Sequence, residues 1–178
     1  LDGTPRAGLD LTGVSVAVAA DVDRAAVVTH EPFGVRLVDL DGRLLRDFGA
    51  PGAAAEYHAV AVAPDGRSIV LSRDGVVRVL SDDGADRELV AGTGVVTRLA
   101  LAAAGRRLLV VRFFGETFTY RADVLEVASG RVIFSTGTGQ NVALSADGAR
   151  LGSVAMPGGD LVVVAVDGGA EVARLSAG

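Results

Sequence analysis

Few residues in this chain could do chemistry, and their spacing decides between classes of function. Two histidines occur in 178 residues, His30 and His58, and neither has the spaced acidic or cysteine companions that a metal site needs. Cysteine is absent, which excludes disulfides, thiolate ligands and a cysteine nucleophile but leaves the redox compartment open. Ser129 and Ser145 stand near glycines without a Gly-x-Ser-x-Gly elbow, so a serine triad has no starting point. The close aspartates Asp21 with Asp23 and Asp39 with Asp41 lack the spaced ligands and closing glutamate of a calcium loop and read as turn residues. Gly92-Thr93-Gly94 and Gly137-Thr138-Gly139 lead into no helical segment that could hold a phosphate at its N-terminus, and read as connections between repeats. The expectation is a chain with no catalytic residues, no metal and no cofactor.

The most distinctive stretch is RFFGETFTYRAD, from Arg112 to Asp123, which gathers Phe113, Phe114, Phe118 and Tyr120, four of the eight aromatic residues. Aromatic side chains and arginine are what interface hot spots favour. With Arg112 and Glu116 these residues read as the longest loop of the chain, on the rim of a partner-binding surface. Equivalent loops of other repeats offer His30, Phe33, Arg73 and Met156, and the connections between repeats add Tyr57, Arg98 and Asn141. The alternative is that Phe113 and Tyr120 continue strands and pack inside, as aromatics usually do.

The elements that must position these residues are repeated. Four segments align: VSVAVAADVDRAAVV from Val14, HAVAVAPDGRSIVL from His58, TRLALAAAGRRLLV from Thr97 and QNVALSADGARLGSV from Gln140. Each is an apolar alternation, a turn, and another apolar run. The equivalent residues Val16, Val60, Leu99 and Val142 stand 44, 39 and 43 residues apart, the length of a four-stranded propeller blade. Asp65-Gly66, Ala104-Gly105 and Asp147-Gly148 supply the positive φ angles of tight hairpins. A third apolar run follows each time, closed by Asp41-Gly42, Asp83-Gly84, Ser129-Gly130 or Asp167-Gly168-Gly169, and then a fourth. No segment has helical periodicity, so the chain reads as all-β, with a sandwich as the structural alternative to radial repetition. Alanine recurs in each first strand, at Ala17, Ala61, Ala100 and Ala143, where small side chains would let repeats approach; codon bias would fill these places with alanine too.

These residues resemble the WD-repeat and YVTN-type β-propeller families, above all in VAVAPDGRSIVL (Val60 to Leu71) and VALSADGARLGSV (Val142 to Val154). The resemblance spans about Val14 to Leu175, without tryptophan and with Val38-Asp39 or Leu80-Ser81 where Trp-Asp would end a third strand. It implies a β-propeller of about four blades of four antiparallel strands, part of a larger propeller: residues 14–57, 58–96, 97–139 and 140–178, with 1–13 ending a preceding blade. It also implies a non-catalytic scaffold that binds a protein or peptide on its loop face. A lactonase-like or quinoprotein-like propeller that acts on a small molecule, and a sensor module fused to an effector domain, are the rival expectations.

Composition narrows the partners. All 17 basic residues are arginine, which beside abundant Ala, Gly and Val matches a GC-rich, bacterial codon bias, and the net charge is -5. No basic cluster exceeds Arg106-Arg107, so the electrostatic footprint of a nucleic-acid binder is missing. The apolar runs are strand-length, far below the roughly 20 residues of a spanning helix, so a membrane is not expected as a partner. No basic patch followed by an apolar stretch opens the sequence, and a cytoplasmic setting is expected over a periplasmic or secreted one. Exposed edge blades lead to the expectation of self-association or of completion by further blades.

Overall fold

A computed structural model describes residues 13–19, 22–30, 33–48, 57–73, 75–138, 141–154 and 159–176. They form sixteen strands in four antiparallel four-stranded sheets, with no helix among the described residues. The first sheet holds β1 (Gly13–Val18), β2 (Arg24–His30), β3 (Phe33–Asp39) and β4 (Leu44–Asp47). The second holds β5 (Tyr57–Val62), β6 (Ser68–Arg73), β7 (Val76–Ser81) and β8 (Asp86–Val90). The third holds β9 (Val95–Ala102), β10 (Arg107–Phe114), β11 (Thr119–Glu126) and β12 (Val132–Thr138). The fourth holds β13 (Val142–Leu144), β14 (Arg150–Val154), β15 (Leu161–Ala165) and β16 (Glu171–Leu175). In every sheet the strands lie in sequence order, each paired with the next. The turns expected from the sequence carry positive φ, at Gly42, Gly66, Gly84, Ala104, Gly105, Gly130, Gly148, Gly168 and Gly169.

The chain divides into two compact units, Leu1–Glu88 and Leu89–Gly178. In the first, the period-2 alternation of β2 and β3 turns Ala26, Val28, Val35 and Leu37 onto Val60, Val62, Ile69 and Leu71, none more than 7% exposed. In the second, Leu109, Val111, Ala122 and Val124 meet Val142, Leu151 and Val166 in the same way. Full burial of each such valine, leucine or isoleucine contributes about 1.5–3 kcal/mol, which makes these sheet-to-sheet cores the main source of cohesion within each unit.

Each sheet pair is also clamped at its turns by one recurring contact. In the first unit Arg24, opening β2, donates through Nη1 to the Gly66 carbonyl at 3.1 Å. In the second, Arg107, opening β10, donates to the Gly148 carbonyl at 2.7 Å. The arginine stems lie so close that a Cβ on Gly66 would stand 2.6 Å from Arg24 Cδ, and one on Gly148 2.7 Å from Arg107 Cδ. Both glycines also have positive φ, +66° and +72°, so two independent constraints demand glycine there. Arg107 adds an ion pair with Asp167, its Nη2 donating to both carboxylate oxygens at 2.9 Å. The register puts Ser68 and Arg150 at the same position in β6 and β14. Ser68 instead meets Ser81 of its own sheet, Oγ to Oγ, at 3.2 Å.

Candidate functional site

The Arg112 to Asp123 segment, expected as a long loop, is a β-hairpin. β10 runs to Phe114, β11 starts at Thr119, and only residues 115–118 turn. Arg112 stands opposite Arg121, Phe113 opposite Tyr120 and Phe114 opposite Thr119. The ladder satisfies the backbone groups that a loop would leave to water, and the aromatic cross-strand pair adds to it. Gly137 and Thr138 are a second correction: they belong to β12, paired with Arg121 and Tyr120, and not to a connection between repeats. Gly92, Thr93 and Gly94 do connect β8 to β9.

One side of the hairpin is aromatic. The Phe113 ring lies 4.9 Å from that of Tyr120 and meets Phe118 edge-to-face at 6.2 Å. Tyr120 also packs against the second unit's core. Phe118 sits at the tip, 82% exposed, with a left-handed φ of 51°. A bulky side chain in that region costs about 1–2 kcal/mol. Thr117 and Thr119 brace the turn with hydroxyls 2.7 Å apart, and Glu116 is exposed beside them.

On the other side, Arg112 and Phe114 lie beneath the segment joining β8 to β9. A Cβ on Gly94, whose φ is +88°, would come within 2.9 Å of the Phe113 carbonyl and 3.0 Å of the Phe114 ring, so the approach requires glycine. A Cβ on Gly92 would stand 3.4 Å from Arg112 Nε. Arg112 is 4% exposed and donates through Nη1 to Asp123 Oδ2 at 3.3 Å. Asp123, equally buried, accepts at Oδ1 from Arg121 Nε at 2.8 Å and from the Ser135 hydroxyl at 2.7 Å. Burial holds the Arg112 guanidinium below the usual arginine range; the Asp123 charge opposes this and the Arg121 charge adds to it. Among the described residues no acceptor meets Arg112 Nε or Nη2.

Of the candidate partner-binding residues, Arg112, Phe113, Phe114, Glu116, Phe118 and Tyr120 therefore share one hairpin. Arg73 and Tyr57 are cross-strand partners in the first unit, and His30, which ends β2, pairs with Phe33, which opens β3. The side chains of His30, Phe33 and Tyr57, and all of Met156, lie outside the described residues. Arg73 lines a groove in the first unit with Arg46, Phe48, Leu80 and Asp86, while Arg98 is taken up by the Val142 carbonyl at 2.9 Å. The Asp123, Arg121 and Ser135 network was not singled out from the sequence. Its signal was there: Arg112 shares strand parity with Leu108 and Val110, and Asp123 with Leu125, so two charges interrupt an apolar face. No protein-family model matches the chain, and no curated protein does.

Proposed function

We propose that the chain is a run of β-propeller blades of the WD-repeat or YVTN-like kind, a non-catalytic scaffold that binds a protein or peptide through the tip of the β10–β11 hairpin. The propeller reading is supported by four successive four-stranded sheets with purely sequential strand order. The binding reading is carried by Phe118: a large apolar ring held 82% exposed on a left-handed backbone. Beyond an edge contact with Phe113, neither property serves the folded chain, since exposure forgoes most of the about 1.5–3 kcal/mol of burial and the backbone adds strain. Both fit a preformed anchor that a partner covers, with Phe113 and Tyr120 as a rigid backing and Glu116 at the rim.

Selection of random peptides on the immobilised chain tests this. Enriched peptides are expected to lose tenfold or more in affinity, about 1.4 kcal/mol, against Phe118→Ala while keeping it against Val16→Ala, a change in the first unit. Enrichment of peptides indifferent to Phe118, or of none, sinks the reading.

A further inference from the structure

The two sheet-to-sheet interfaces described above follow one plan, and the fourth sheet carries the giving half of a third. The giving sheet presents one face of its first three strands, with Ala17, Ala26 and Leu37 on one rung in the first sheet and Ala100, Leu109 and Val124 on one rung in the third. It adds the arginine that opens its second strand. By register the same rung of the fourth sheet holds Ala143, Gly152 and Val163, and the next rung on that face pairs Val154 with Leu161. Arg150 opens its second strand on that same face. The face is apolar and partly open: Leu161 is 37% exposed and Leu175, paired with it, 65%. In the first and third sheets the corresponding β2, β3, β10 and β11 residues are at most 2% exposed.

We infer that this face of the fourth sheet, with Arg150, is a docking surface for a further four-stranded sheet of the same kind, one whose first hairpin carries glycine where Gly66 and Gly148 stand. Two features of the same contact set that requirement. The clamp is used twice with the same donor position and the same acceptor carbonyl. Each time, any Cβ on the accepting residue would lie 2.6–2.7 Å from the arginine stem. The requirement also discriminates against a second copy of this chain. A second copy exposes an apolar face on its first sheet, with Val16 61% and Val18 59% exposed, but Val22 occupies the glycine position of that sheet's first hairpin. Its side chain would meet Arg150 as a Cβ on Gly148 would meet Arg107.

The test appends a duplicate of residues 57–90, which contains Gly66, directly after Gly178 of the full chain. Hydrogen exchange is then followed in β14 and β15, whose peptides occur once in the fusion. Exchange through Leu161–Ala165 is expected to slow about tenfold or more relative to the unfused chain. Arg150→Ala, or Gly66→Val in the duplicate only, is expected to abolish the slowing; the second change leaves the host chain untouched. The inference is overturned if exchange does not slow, if the slowing survives both substitutions, or if the unfused chain shows the same slowing as its concentration rises, since a second copy would then be the occupant.

Discussion

The guanidinium of Arg107 reaches the Gly148 carbonyl at 2.7 Å while its own Cδ occupies the space that a Gly148 side chain would need. The hydrogen bond and the missing Cβ are therefore one device, and each half has its own cost of removal. Gly148→Ala combines a clash with a left-handed backbone and is expected to destabilise the second unit by about 2–4 kcal/mol. Arg107→Ala loses the carbonyl bond and the Asp167 pair without a clash and is expected to cost about 1–2 kcal/mol. In urea denaturation the double variant should fall short of the sum, because the alanine at 148 meets no stem once Arg107 is gone.

The buried pair of Arg112 and Asp123 is expected to respond asymmetrically. Asp123→Ala strands a buried guanidinium that already has two unmet donors, and should cost about 3–5 kcal/mol. Arg112→Met leaves Asp123 with Arg121 and Ser135 as donors, and should cost less than about 1.5 kcal/mol. Equal losses in a denaturant titration would contradict the network as described.

Phe118→Gly should raise the unfolding midpoint. Glycine adopts the φ of 51° without the Cβ penalty of about 1–2 kcal/mol, which outweighs the entropy that glycine adds to the unfolded chain together with the edge contact that an 82% exposed ring makes with Phe113. The same variant should lose the affinity for selected peptides, so stability and binding would move in opposite directions. A calorimetric scan that shows destabilisation would contradict the strain argument.

Asp147 is held below the ordinary carboxylate range, first by the Ser145 hydroxyl and then by the Ala149 amide. A depressed folded value means that this turn gains stability above the unfolded pKa and loses it as pH falls through the folded one. Ser145→Ala is expected to move the Asp147 titration upward in a carbon-detected NMR titration. Glu171, lowered first by its hydrogen bond from Arg174, should respond in the same direction to Arg174→Gln.

The sheets were legible in the sequence because their turns need residues that few others can replace. Asp65-Gly66, Asp147-Gly148 and their counterparts marked the hairpins, and all-β periodicity did the rest. The hairpin at Arg112 is not legible in the sequence because Gly115, Glu116 and Thr117 read as the middle of a long loop; the cross-strand pairing of Phe113 with Tyr120 is a fact that local pattern does not carry. The arginine clamps were hidden for the same reason. Arg24 and Gly66 are 42 residues apart, and nothing about either residue type alone announces the other.

Strictly sequential pairing has a consequence for how the chain is made. Among the described residues every ladder joins neighbouring strands, and the clamps span only 42 and 41 residues. At a ribosomal rate of roughly 5–20 residues per second, an arginine waits roughly 2–8 seconds for the turn that receives it. Within each unit the later sheet can therefore close during synthesis and cover the earlier sheet's apolar face as it emerges, which shortens the time that this apolar surface spends in solvent.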